Sequence, residues 1–158
     1  AGIINDTIAA RDKYFPSAKV SVLSNATMLH KSDVFEALKK VDNNIQKLDT
    51  VNMAYITKVD RPCSPSYNVR EVIEQLKAYD GKVIIQTIFM RGEGVDNTSE
   101  EYVAPWIEAI KEIAPKQVMI YTIDRETPTK GLKKAEPDLL DHICETITKQ
   151  NIPCTASH

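Results

Sequence analysis

Four apolar runs with strand character each break into polar residues at their C-terminal end, and this limits the folds open to the chain. Val20-Ser21-Val22-Leu23 runs into Ser24-Asn25, and Ile45-Gln46-Lys47-Leu48 into Asp49. Val83-Ile84-Ile85 runs into Gln86-Thr87, and Val118-Met119-Ile120-Tyr121-Thr122-Ile123 into Asp124-Arg125. A polar side chain destabilises a buried strand unless it is paired or faces a ligand. Strand–helix repeats place their ligands at the C-terminal strand ends. One such break marks a strand end or a buried bonded pair as readily as a site. Four in succession point to a site.

Helical and strand patterns alternate around these runs. The spacing predicts a helix over 3–14 with Ile4 and Ile8 on one face, then a strand over 19–24. Ser32 is placed to cap a helix striped by Val34, Ala37, Leu38 and Val41. A strand over 45–49 and a short helix over 52–59 follow, then the loop Arg61-Pro62-Cys63-Ser64-Pro65-Ser66. Asn68 and Glu71 have capping-box spacing before a helix striped by Val69, Val72, Ile73 and Leu76, which Gly81 ends.

The strongest strand signal covers 82–89. Gly92 and Gly94 open a loop, and Thr98 with Glu101 predicts a second capping box before Val103, Trp106, Ile107 and Ile110. Pro105 inside that stripe predicts a kink or a late start. A strand over 117–123, a helix opened by Pro137 and carrying Leu139, Leu140, Ile143, Cys144 and Ile147, and a short strand near Cys154 complete the chain. Such alternation implies parallel strands with right-handed crossovers, in a doubly wound sheet or a β/α barrel. The chain opens on a helix with no strand before it, the pattern of a barrel lacking its first strands. An uncovered parallel edge is an association hazard, so self-association through it is an expectation.

Composition narrows the function. The 158 residues suit one domain, and 42% hydrophobic with 27% charged residues allow an ordinary core. With 20 basic and 22 acidic residues the net charge is -2, so no nucleic-acid footprint is present. No apolar run has the length of a membrane span. Three sparse cysteines, Cys63, Cys144 and Cys154, point to a reducing compartment, and the reading is cytoplasmic.

The motifs are individually modest. Lys47 and Asp49 share a strand face, which suits a zwitterionic ligand, a ribose or a mutual ion pair. Of Gln86 and Thr87 only one can point inward. Arg125, beside Asp124, suits a carboxylate or phosphate, or pairs at the surface. The loop Arg91–Thr98 fits neither a P-loop nor a dinucleotide fingerprint. His30, His142 and His158 have no ligand spacing, Cys144 fits a core face, and Cys63 sits in a loop near Arg61. A strand lysine also suits Schiff-base chemistry, so an isomerase- or aldolase-like barrel using Lys47 and Asp49, or a small-molecule binding module, is the alternative.

Several stretches taken together resemble the radical S-adenosylmethionine (SAM) enzymes described as Fe–S oxidoreductases. These are Ala18-Lys19-Val20 through Leu23-Ser24-Asn25-Ala26-Thr27, then Ala37-Leu38-Lys39-Lys40-Val41-Asp42 and Lys47-Leu48-Asp49. Ile85-Gln86-Thr87, Asp96-Asn97-Thr98 and Ile120-Tyr121-Thr122-Ile123-Asp124-Arg125 follow. Activating enzymes of the pyruvate formate-lyase type look like more distant relatives.

The resemblance implies an α/β fold, a partial (β/α) barrel of parallel strands with outer helices. Residues 1–158 would be a single domain, a fragment of a larger radical SAM barrel lacking its first two strands. The family's Cys-x-x-x-Cys-x-x-Cys loop and its Gly-Gly-Glu type motif do not occur in this sequence. The full-length protein would use a [4Fe–4S] cluster to cleave SAM reductively to a 5′-deoxyadenosyl radical. The chain alone would hold no cluster, bind no metal and be inactive. By strand position the resemblance implies Ser24, Asn25, Lys47, Asp49 and Gln86 on the SAM side. Lys47 would meet the carboxylate, and Asp49 or Asn25 the ribose. Asn97, Tyr121, Asp124 and Arg125 would line the adenine or substrate side. The substrate, whether a small molecule, a peptide or a protein, is not specified by any residue.

Overall fold

The structure, a computed structural model, describes residues 1–158. Helix α1 (Gly2–Tyr14) leads to strand β1 (Ser21–Ser24), helix α2 (Ser32–Leu38) and strand β2 (Asn43–Lys47). Helices α3 (Met53–Val59) and α4 (Val69–Lys77) precede β3 (Ile84–Ile88) and the short β4 (Met90–Arg91). Helix α5 (Glu100–Ile113), β5 (Gln117–Tyr121), the short β6 (Lys133–Lys134), α6 (Pro137–Thr148) and β7 (Cys154–Ser157) complete it.

Five strands form one parallel sheet in the order β1-β2-β3-β5-β7. The order never reverses. A doubly wound sheet needs a reversal, so the alternative left by the sequence is settled in favour of a partial barrel. Burial parity agrees. Gln46, Ile85, Thr87, Val118 and Ile120 are buried, while their strand neighbours Lys47, Gln86, Ile88, Met119 and Tyr121 are half-buried. One face of the sheet is therefore packed and the other is largely open. Register places Lys47 beside Gln86, Gln86 beside Met119, and Ile88 beside Tyr121 on that open face.

The packed face is built as the spacing predicts. Val69, Val72, Ile73 and Leu76 of α4 are buried together with Val103, Trp106, Ile110 and Ile113 of α5 and Leu140, Ile143 and Ile147 of α6. Burial of each such side chain contributes about 1.5–3 kcal/mol before chain entropy is counted. Trp106 meets Phe89 edge-on at 5.3 Å, and its Nε1 donates to the Leu48 carbonyl at 2.9 Å. The central helix thereby anchors the chain just after β2.

Several boundaries differ from the sequence reading. Helix α2 takes Lys31 as its N-cap, leaving Ser32 in the first turn and Val41 outside the helix. Asn68 caps α4 by accepting from the Arg70 N–H at 2.9 Å. Thr98 and Glu101 form no capping box, because α5 begins at Glu100 with Ser99 as its N-cap. Thr98 instead donates from its N–H and its hydroxyl to Asp96 Oδ1, at 2.8 and 2.7 Å. Helix α5 runs through Pro105: the missing N–H lies in its second turn, where only the Glu101 carbonyl loses a partner. The antiparallel pairing of β4 with β6 was not foreseen, since two residues carry no periodicity.

Helix α1 buries no residue completely. Ile4 and Ile8 are only half-covered, and Arg11 holds the helix down through Asp42 Oδ2 at 2.8 Å. Beside it β1 is an edge strand, and Leu23 on the open face is 57% exposed.

Candidate functional site

The C-terminal ends of β2, β3 and β5 place a polar group on the open face. Lys47 is the last residue of β2. Its Nζ donates to the Tyr121 hydroxyl at 3.0 Å, lies 3.4 Å from Asp49 Oδ2 and sits 5.5 Å from the centre of the Tyr121 ring. Burial alone would lower the pKa of this amine. The charge of Asp49 and the Tyr121 hydrogen bond outweigh it, and Lys47 is held protonated.

Asp49 follows β2 and turns its carboxylate back toward the sheet. Its Oδ1 accepts from the Ile88 N–H at 2.9 Å, fastening the β2 end to β3. Burial raises its carboxyl above the ordinary range, and the opposing pull of Lys47 and the Ile88 N–H is smaller. Lys47 and Asp49 thus form a half-buried ion pair whose charges are incompletely answered. Gln86, next to Lys47 in register, has a half-buried side chain on the same open face. The parity left open by the sequence is resolved: Thr87 is the buried one, and its hydroxyl donates to the Leu48 carbonyl at 2.8 Å.

The other expected residues divide. Asn25 borders a cavity beside β2, and its Oδ1 accepts from the Thr27 N–H and hydroxyl. Ser24 pairs in register with Gln46, so it lies on the face opposite Lys47, and its hydroxyl accepts from the Ala26 N–H at 3.1 Å. Asn97 is 1% exposed and spends its amide on the backbone. It accepts from the Met90 N–H and donates to the Asp49 and Ile88 carbonyls, all at 2.9–3.0 Å. It therefore positions Asp49 and leaves no group free for a ligand. Tyr121 belongs to the polar group itself. Asp124 and Arg125 are exposed beyond β5, and the Asp124 carboxylate is 4.0 Å from Lys134.

A cavity of about 760 Å³ lies between the β2 end and the loop that joins α3 to α4. Lys47, Asp49 and Asn25 line one side, and Asp60, Arg61 and Tyr67 belong to the loop side. Sequence reasoning missed those three. The only signal was the length of the loop between two short helices, a kind of segment that often carries function. Asp60 is exposed over much of its surface, and partial desolvation on the cavity side, then Asp49, push its carboxyl up to about 6, with Lys47 opposing. The same burial and the charges of Asp60 and Asp49 raise the Tyr67 hydroxyl.

The cysteines do not come together: Cys63, exposed in the α3–α4 loop, lines the cavity, whereas Cys144 and Cys154 belong to α6 and β7. The fold gathers no three His, Cys, Asp or Glu side chains suited to a metal ion. No helix is long and apolar enough to cross a membrane.

No protein-family model matches the chain. Two curated relatives are UPF0026 proteins from two strains of Helicobacter pylori, 24% identical over 147 residues and 23% over 146. The alignments cover 88% and 87% of this chain but 47% and 46% of those proteins, so the chain spans about half their length. Among solved structures, Streptococcus suis SuiB bound to S-adenosylmethionine superposes with a TM-score of 0.70 at 17% identity, over 99% of this chain and 36% of SuiB. A domain of a pyruvate-formate lyase-activating enzyme from Bacteroides vulgatus gives 0.64 at 13% identity, over 88% of this chain and 82% of that domain. A radical SAM methyltransferase from Sphaerobacter thermophilus gives 0.64 at 14%, over 85% and 39%. The fold is that of the radical SAM enzymes. With it the expected architecture, a partial barrel of parallel strands and outer helices, is established.

Proposed function

We propose that residues 1–158 form the SAM-binding wall of a larger radical SAM oxidoreductase. The observation that carries this reading is the placement of Lys47 beside Gln86 on the open sheet face, at C-terminal strand ends, in a fold shared with a SAM-bound enzyme. Lys47, protonated and half-exposed, suits the methionine carboxylate. Gln86 offers an amide donor and acceptor beside it. Asn25 and Asp49 lie close enough to the same cavity to serve ribose hydroxyls.

The open edge of β1, with Leu23 exposed, supports a larger barrel continued on that side. A second copy is the other possible neighbour for such an edge, and light scattering on the purified chain separates the two: a strict monomer at high concentration removes it.

A cluster that supplies the electron for cleaving the sulfonium needs three thiolates close together, and Cys63, Cys144 and Cys154 do not fit that requirement. Its ligands would come from sequence outside residues 1–158. Within this chain the work is binding: orienting the carboxylate on Lys47, holding ribose, and presenting the open face to a substrate of unspecified class.

The alternative of Schiff-base chemistry at Lys47 is disfavoured by the same geometry. A nucleophilic lysine needs a lowered pKa, and Asp49 with Tyr121 raises this one.

The test is equilibrium dialysis with labelled SAM on the whole protein that contains these residues, together with anaerobic iron–sulfide reconstitution and a cleavage assay. Lys47→Met and Gln86→Ala should each weaken SAM binding, the former by about tenfold or more, the equivalent of one charge-assisted contact. A reconstituted protein that neither binds nor cleaves SAM would overturn the reading.

A further inference from the structure

We infer that the packed face of the sheet holds an ordered water between Asn44 and Gln46 of β2, a polar site inside the core. It lies apart from the cavity, whose wall includes neither residue, and it does not depend on SAM binding. Asn44 and Gln46 alternate with Asn43, Ile45 and Lys47, so both point to the packed face. They are 3% and 0% exposed, and bulk solvent does not reach them.

Their amides are only half used. Gln46 Nε2 donates to Asn44 Oδ1 at 2.5 Å. Asn44 Nδ2 and Gln46 Oε1 are buried with no partner in the protein. Leaving a buried donor or acceptor unanswered costs more than an ordinary hydrogen bond contributes. One of these atoms is a donor and the other an acceptor, and the bond between the amides keeps them close together. A water accepts from the first and donates to the second, which is the common role of water in protein interiors. Turning the amides over changes nothing. Reversing both restores the bond between them and again leaves one donor and one acceptor free, whereas reversing one sets like atoms against each other.

The neighbours suit such a site. Ser24, beside Gln46 in register, is short and accepts from the Ala26 N–H at 3.1 Å without reaching the Gln46 amide. Val22 and Ile85, the other register neighbours, have no polar side-chain atom to offer. Tyr79 is 2% exposed, and its hydroxyl is 3.5 Å from the Phe35 carbonyl, at the outer limit of a bond. Burial raises the Tyr79 phenol and Asn44 opposes that rise, yet no direct bond satisfies Asn44 Nδ2. A water beside Asn44 gives the phenol a second partner.

The experiment is a pair of water-selective NOE and ROE measurements on the whole protein that contains these residues, isotope-labelled at its Asn and Gln side chains, with water itself as the probe. The side-chain amides of Asn44 and Gln46 should each give a cross-peak with water, of opposite sign in the two measurements, as a long-lived bound molecule does. Asn97 is the internal control. It is 1% exposed, and its amide is spent on three backbone groups, so it should give no such peak. Tyr79→Phe removes a hydroxyl whose proton exchange with solvent imitates a bound water, and both peaks should survive it. A missing peak at either Asn44 or Gln46, peaks of equal strength at Asn97, or loss of both peaks in Tyr79→Phe would overturn the inference. The measurement uses neither SAM nor a cluster, so failure of the radical reading leaves it standing.

Discussion

The Nζ of Lys47 donates to the Tyr121 hydroxyl at 3.0 Å, joining residues 74 positions apart across the intervening strand β3. The bond stiffens a long cationic side chain that would otherwise lose rotamer freedom on meeting a ligand. Tyr121→Phe keeps the ring beneath the amine and deletes the bond. It should cost about 0.5–1.5 kcal/mol of stability. Lys47 should then titrate at a lower pH, which NMR of its Cε and Nζ resonances measures. An unchanged Lys47 titration would show that the hydroxyl does not act on the amine.

Asp60 makes stability depend on pH in a defined direction. The fold favours its protonated form, so its contribution is complete below the ordinary carboxyl pKa of 3.8 and is lost as pH rises through about 6. Asn at this position is neutral throughout. Asp60→Asn should therefore be more stable than the native chain at pH 7, and the difference should vanish below about pH 4. The displacement from 3.8 to about 6 is worth ~3 kcal/mol at face value. Solvent contact at the cavity mouth reduces this to about 1 kcal/mol. Urea denaturation of both proteins from acid to neutral pH checks it.

Asn97 serves three backbone groups at once, on β4, on the β3 end and at Asp49. Asn97→Ala leaves them without partners in a dry site. The expected loss is about 2–4 kcal/mol, seen as a lower urea midpoint with an unchanged slope. A loss under about 1 kcal/mol would mean that water replaces the amide.

The Leu48 carbonyl accepts both Trp106 Nε1 and the Thr87 hydroxyl, at 2.9 and 2.8 Å. Either donor alone keeps it partnered. Trp106→Phe and Thr87→Val should each cost about 1–2 kcal/mol, and the double variant more than their sum by about 1 kcal/mol. A double-mutant cycle measures the coupling directly, and strict additivity would show that the two bonds act independently.

Much of this architecture is local and therefore legible in the chain. The stripes Val69-Val72-Ile73-Leu76 and Leu140-Ile143-Ile147 lie buried on their helices as their spacing demands. Alternating helices and strands fixed the parallel class, because parallel neighbours need crossovers. Lys47, Asp49, Gln86 and Asn25 stood out because polar groups at apolar strand ends are costly without a purpose.

The rest depends on contacts between segments far apart in sequence. Period-two alternation is indifferent to which face is packed, so only the assembled helices decided that Gln86 is open and Thr87 buried. Tyr121, which alone reads as a core aromatic, reaches Lys47 because β3 sets the lateral distance between their strands. Asn97 reads as a ligand group in the chain and becomes a backbone clamp once the loop after β4 folds over the β2 end. Asp60 and Tyr67 carry no local signal beyond the length of their loop: their cavity exists only because that loop folds back opposite the β2 end. Periodicity and caps are written residue by residue, whereas a site is made where strand ends and loops meet, and tertiary packing alone sets which side chains share that space.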